Sequence, residues 1–121
     1  MTAPNLIGAV TITGKTTGVF LTSNTTTTVL NNPASSGKCL KVNTLNISNN
    51  TGTAVLVTVG WHNSANSAGS RFPIVADVTI PSGSTLNVID KTSQYYLEEN
   101  TSLSANGANN LTATCSYEDI S

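Results

Sequence analysis

Few side chains in this chain could do chemistry near neutral pH. His62 is the sole imidazole, Cys39 and Cys115 are the two thiols, and Glu98-Glu99 and Glu118-Asp119 are the two acidic doublets. A zinc site needs three or four protein ligands, and neither cysteine is accompanied by a second histidine. Paired carboxylates can hydrolyse glycosides, but only when they face each other across a cleft at a set separation. Adjacent residues on a strand point to opposite faces, so the doublets read as a charged strand end and a solvated C-terminus. Serine is everywhere, and nothing marks one as the nucleophile of a Ser-His-Asp set. A small hydrolase would need His62, Asp77 or Asp90 to converge with a hydroxyl in a deep cleft. No catalytic residue, metal site or cofactor is expected.

Three further patterns invite a functional reading. Gly14-Lys15-Thr16 resembles the end of a phosphate loop, but that motif needs a glycine where Ala9 stands and a helix to follow. Thr17-Gly18-Val19-Phe20 continues instead as strand, so Gly14-Lys15 reads as a tight turn. Tyr95 and Tyr96 must split between two faces, one towards the core and one towards the surface. With Trp61 and His62 an exposed tyrosine could form a small platform for sugar rings, the basis of a glycan- or host-surface-binding module. The Thr-x-Thr spacings at Thr11/Thr13, Thr26/Thr28 and Thr112/Thr114 would suit an ice-binding array only if many ranks lay in register. They read more simply as β-branched residues at solvent-facing strand positions. His62, beside Trp61 at the start of a loop, is expected at a surface or interface.

The bulk composition has the same character. Forty-nine of 121 residues are Thr, Asn or Ser (20, 15 and 14), 9% are charged, and the net charge is -1. Such a polar surface consists of neutral hydroxyls and amides, which hydrogen-bond without carrying charge. The five cations, Lys15, Lys38, Lys41, Arg71 and Lys91, are scattered, whereas a phosphate backbone requires clustered Lys and Arg. Neither nucleic acid nor an anionic membrane is an expected partner, and no apolar run reaches the ~18 residues of a membrane span. The N-terminus lacks the features of a secretory signal, so synthesis in a cytoplasm is expected, which favours two buried free thiols over a single Cys39–Cys115 bridge. In that setting the five Asn-x-Ser/Thr sequons are an accident of composition. Low charge leaves little repulsion between copies and permits self-association.

The elements that must position these residues are strands. Period-two alternation is clearest in Thr53–Asn63, with Val55, Val57, Val59 and Trp61 on one face. It recurs in Phe72–Ile80, with Phe72, Ile74, Ala76, Val78 and Ile80 on one face, and in Leu111–Tyr117, with Leu111, Ala113, Cys115 and Tyr117 inward. Weaker candidates are Leu6–Thr13, Gly18–Thr22, Thr26–Leu30, Leu86–Ile89 and Ser102–Ala105. Cys39–Asn49 is extended, but its apolar positions change parity between Val42 and Leu45, which predicts a bulge. Turn signals separate these runs, and the longest soft stretch, Asn63–Ser70, reads as a flexible loop or insertion. The expected fold is all-β: a single antiparallel β-sandwich, jelly-roll-like, over residues 1–121, with residues 1–5 as an N-terminal arm.

The segments Met1-Thr-Ala-Pro-Asn5, Thr11-Ile-Thr-Gly-Lys-Thr16 and Ser36-Gly-Lys38, followed by a Val-Asn-x-Leu strand, belong to a wider pattern. So do Tyr96-Leu-Glu-Glu-Asn-Thr-Ser-Leu103 and Cys115-Ser-Tyr-Glu-Asp-Ile-Ser121. Together they resemble a family of small virion structural proteins of marine tailed phages, over nearly the whole chain. Asn100 stands where that pattern has glycine, a replacement tolerated in a left-handed turn. The resemblance implies a non-enzymatic β-sandwich on a phage particle, made in the host cytoplasm and localised to the virion. A capsid decoration or cement role comes first, and a tail, collar or fibre component second. Its partners would be the major capsid protein or other virion proteins, and copies of itself in a homo-oligomer. The expected contact residues are Thr2, Ala3, Pro4, Asn5 and Leu6 of the arm, with Trp61, His62, Asn63, Asn66 and Arg71 around the long loop.

Overall fold

The computed structural model describes Gly8, residues 11–108 and residues 110–121. The arm residues Thr2, Ala3, Pro4, Asn5 and Leu6 lie outside them. Among the described residues nine strands form two antiparallel sheets. They are β1 (Ile12–Phe20), β2 (Thr27–Asn32), β3 (Cys39–Ser48), β4 (Val55–His62), β5 (Arg71–Ile80), β6 (Thr85–Ile89), β7 (Tyr95–Leu97), β8 (Thr101–Asn106) and β9 (Thr112–Ile120). The first sheet runs β1-β9-β3-β6, with β7 also pairing with β3, and the second runs β2-β8-β4-β5. The chain crosses repeatedly between sheets and pairs β1 with β9, giving the antiparallel β-sandwich anticipated from the sequence.

The core lies between the sheets. Val42, Leu45 and Ile47 of β3 meet Val57 and Val59 of β4, Leu103 and Ala105 of β8, and Ala113 and Cys115 of β9, all essentially inaccessible. Truncating any one of the larger aliphatic groups would cost about 2–5 kcal/mol. The parity change in β3 has the expected cause: its register against β9 shifts between Val42 and Thr44, leaving Asn43 as the extra residue. Tyr95 packs against the core and Tyr96 is exposed.

Three local expectations give way. Of the weak candidates Leu6–Thr13 and Gly18–Thr22, Ile12, Thr13 and Gly18–Phe20 belong to one strand, because β1 pairs with β9 without interruption from Ile12 to Phe20; residues 6, 7, 9 and 10 lie outside the described residues. Gly14-Lys15-Thr16 is therefore strand interior, not a turn. In β5 the alternation fails: two register shifts against β4 and a positive φ of 49° at Asp77 turn the strand. Ala76 is exposed, and Phe72, although opposite Trp61 on the core-side face, is 52% exposed near the start of the strand.

The two cysteines are free and buried. Along β9, Cys39 stands opposite Ile120 and Cys115 opposite Leu45, five β9 positions apart. At about 3.4 Å per residue that is ~17 Å, far beyond the Cα separation of a disulfide. Burial pushes the Cys115 thiol up to about 12, leaving it protonated and inert.

Candidate contact face

The outer face of each sheet was built from hydroxyl and amide residues, but only one leaves them free. Directly paired residues share a face, so the registers define ranks across the β1-β9-β3-β6 sheet. One rank is Thr16, Ser116 and Thr44; the next is Gly18, Thr114, Asn46 and Asn87; the last is Phe20, Thr112, Ser48 and Thr85. Neighbours in a rank stand about 5 Å apart and ranks repeat every ~7 Å. Thr16, Gly18, Phe20, Thr114, Asn87 and Thr85 are exposed, and the others are partly so. Hydrogen bonds within the face are few: Ser48 to Thr85 at 3.1 Å and Asn50 Nδ2 to Thr112 Oγ1 at 2.8 Å. The next rank, Gly14, Glu118, Lys41 and Tyr96, carries the face's ion pair, Lys41 Nζ to Glu118 Oε2 at 3.7 Å. Exposed apolar groups rim the face: Phe20 at 72%, Ile12 at 63% and Tyr96 at 48%.

The outer face of β2-β8-β4-β5 is closed over β8 and the neighbouring ends of β2 and β4. Residues 63–70 fold back across it through a 3-10 turn, Ala65–Ser67, in which Asn66 and Ser67 take positive φ. Backbone N–H groups of this loop donate to side chains of the sheet and its edge: Ala65 to Asn100 Oδ1 at 3.1 Å, Asn66 to Asn31 Oδ1 at 2.7 Å, and Ser67 to Ser102 Oγ at 2.9 Å. Ser102 Oγ donates in turn to the Ser64 carbonyl at 2.8 Å. The stretch expected to be flexible or inserted is thus a cover fixed by hydrogen bonds. Under it, β8 is buried on both sides from Thr101 to Ala105.

His62 lies under this cover, 4% exposed, and not at the surface where the sequence put it. Its Nε2 is 2.7 Å from Ser104 Oγ and its Nδ1 is 3.2 Å from the Ala68 carbonyl. An Nδ1–H donating to the carbonyl leaves Nε2 to accept from the serine hydroxyl. A Ser–His pair of this kind could activate a nucleophile, but Ser104 is 1% exposed and no substrate reaches it. Asp90 is held in its own turn by Thr92 and Ser93. Among the described residues no group of three or more His, Cys, Asp and Glu could hold a metal ion. No helix among them is long and apolar enough to cross a membrane.

The remaining expected contact residues lie at one end of the β4–β5 pair and on the loop that joins the two strands, with His62 directly opposite Arg71. Trp61 is half-buried against Phe72, with ring centroids 5.5 Å apart. Asn63 is exposed, and its Oδ1 accepts the Ser70 N–H at 2.9 Å. Asn66 is exposed on the loop, and Arg71 begins β5. Trp61, His62 and Tyr96 do not form one aromatic platform: Tyr96 belongs to the opposite sheet. The ranks of the open face escaped the sequence reading because they join strands distant along the chain. The hint was the Thr112/Thr114 alternation, whose neighbours in space only register reveals.

Asp119 also departs from the expected solvated terminus. It is 7% exposed and receives Lys15 Nζ at 2.9 Å and Lys38 Nζ at 3.0 Å. Burial alone would raise its pKa, but hydrogen bonds and charge from the two lysines outweigh it and hold the carboxyl below its ordinary value. The pairs tie edge strand β1 and the β2–β3 connection to β9.

No family model and no curated protein matches this sequence. Among solved structures it is similar to a chain of the disulfide-linked pili that form Bacillus endospore appendages. The two are 14% identical, with a TM-score of 0.53 over 100% of this chain and 96% of that one. A chain of the cyanophage Pam1 capsid asymmetric unit is 15% identical over 99% of this chain and 91% of that one, with a TM-score of 0.38. The first likeness is one of fold, and the second is too slight to carry an argument.

Proposed function

We propose that this protein is a non-enzymatic structural component of a tailed-phage virion, docked on the outer shell as a capsid decoration or cement protein. The observation that carries this reading is the open face of the β1-β9-β3-β6 sheet: uncharged hydrogen-bonding groups at regular spacing, rimmed by Phe20, Ile12 and Tyr96. Neutral donors and acceptors lose less on leaving water than charges do, and exposed aromatic groups are the usual anchors of an interface. The sequence resemblance to small virion proteins supports the same role. Each copy would bridge adjoining shell subunits, the major capsid protein or a neighbouring virion protein, and add resistance to internal pressure without covalent chemistry. Homo-oligomerisation belongs to this proposal.

Copy number and position in purified particles test it. Many copies spread over the head are expected, and Thr114→Lys, which plants a charge at the centre of the face, should strip the protein from particles while leaving it folded. A few copies confined to the tail would transfer the role to a tail, collar or fibre component.

A further inference from the structure

The closed sheet carries a second feature beyond the end of its covering loop. A depression of about 310 Å³ opens on its outer side, lined by Asn24, Leu56, Thr58, Arg71, Asp77 and Asn106. That volume is at the small end of ligand pockets. Its shape is fixed by the strands. The Arg71 side chain lies over Gly60, where an added Cβ would come within 2.5 Å of Arg71 Cγ and 2.8 Å of Cδ. Glycine at position 60 thus makes room for the arginine stem against the sheet. Asp77 sits on the β5 bulge with φ 49°, its N–H bonded to Thr58 Oγ1 at 3.0 Å and its Oδ1 3.4 Å from the same hydroxyl. A non-glycine residue in this conformation is costly, and such positions cluster at binding sites. Arg71 and Asp77 line the same depression, yet no ion pair joins them among the described residues.

The lining therefore offers a fork of donors, a carboxylate acceptor, two amides and a hydroxyl, with Leu56 as an apolar patch and no net charge. Ions of either sign gain from one charge and lose to the other. A neutral molecule dense in groups that both donate and accept satisfies all of them. From this geometry we propose that the depression is a saccharide subsite taking one pyranose ring. Asp77 accepts from vicinal hydroxyls, Arg71 and Asn106 donate to hydroxyl or ring oxygens, and Leu56 meets a C–H face. The site shares nothing with the face assigned to docking on a shell, and it is separate from the aromatic residues that the sequence suggested for glycans. One assignment can fail while the other stands.

The test is a titration of the isotopically labelled full chain with glucose, galactose, mannose and N-acetylglucosamine, followed by amide chemical shifts. At least one sugar should bind with a Kd on the order of 1–10 mM, shifting the amides of Thr58, Asp77 and Asn106. Asp77→Asn keeps a residue tolerant of left-handed φ, and Arg71→Gln keeps a donor without the charge. Each should weaken binding ~10-fold, while Thr114→Ala on the other sheet should not. Absence of shifts with all four sugars, shifts elsewhere, or equal binding by Asp77→Asn and Arg71→Gln would overturn the assignment, as would a response to acetate or guanidinium alone.

Discussion

On the β2-β8-β4-β5 sheet the outward Ser102, Ser104 and His62 are buried and joined to the 63–70 loop. On the opposite sheet Thr114, Asn87 and Thr85 occupy equivalent outward positions and remain in solvent. The residue types are alike; the difference is whether a loop returns to use them. Where it does, hydroxyls and amides become internal structure, and no buried side-chain nitrogen or oxygen among the described residues lacks a partner. Where it does not, the same chemistry is left for another molecule. A polar composition therefore says little about function until register and loop path divide it between these two uses.

The largest effect separating the faces is expected at His62. His62→Ala removes a buried ring and leaves Ser104 and the Ala68 carbonyl without their partner. The cost should be about 2–4 kcal/mol, read as a fall in Tm of roughly 5–15 °C. A change within error would mean that the loop is not integral to the fold.

Asp119→Asn should cost less, about 1–2 kcal/mol at neutral pH, because its lysine partners have side chains 45% and 43% exposed. The folded carboxyl titrates below its ordinary 3.8. Its contribution is thus fully present above that value and lost as pH falls through the lower, folded-state value. Melting curves of the protein and the variant should converge in strong acid; a gap unchanged from neutrality to below pH ~3 would remove the ion pairs from the account.

At Asn100 the left-handed turn and the loop anchor can be separated. Asn100→Gly keeps the φ of 60° but loses the acceptor for the Ala65 N–H. About 0.5–1 kcal/mol of stability should go, with faster hydrogen exchange at Ala65 and little change elsewhere. The smallest effect is expected on the open face, where Thr114→Ala should alter stability by less than about 0.5 kcal/mol. A loss as large as that at His62 would make the two faces equivalent and undo the comparison.

Much of the sandwich was legible as alternation. The parity change between Val42 and Leu45 located the β3 bulge, and Asn100 was recognised as a left-handed turn residue. Strand β1 was not legible as one element, because Gly14 and Gly18 mimic breaks and only its pairing with β9 shows continuity. Ala76 was misplaced because Asp77, a polar residue inside an apolar run, bends β5 without announcing a bulge. His62 was misplaced because the 63–70 loop that covers it is held by Asn31, Asn100 and Ser102, partners more than thirty residues away. Local pattern gives the faces of a strand. It does not say which face another segment will cover.

The spacing of Cys39 and Cys115 along β9 has an effect on how the molecule meets its surroundings. Two thiols that cannot reach each other and stay shut from solvent give oxidants nothing to join and reductants nothing to open. The sandwich should keep one covalent form, and one stability, on passing from a reducing cell interior to an aerated medium.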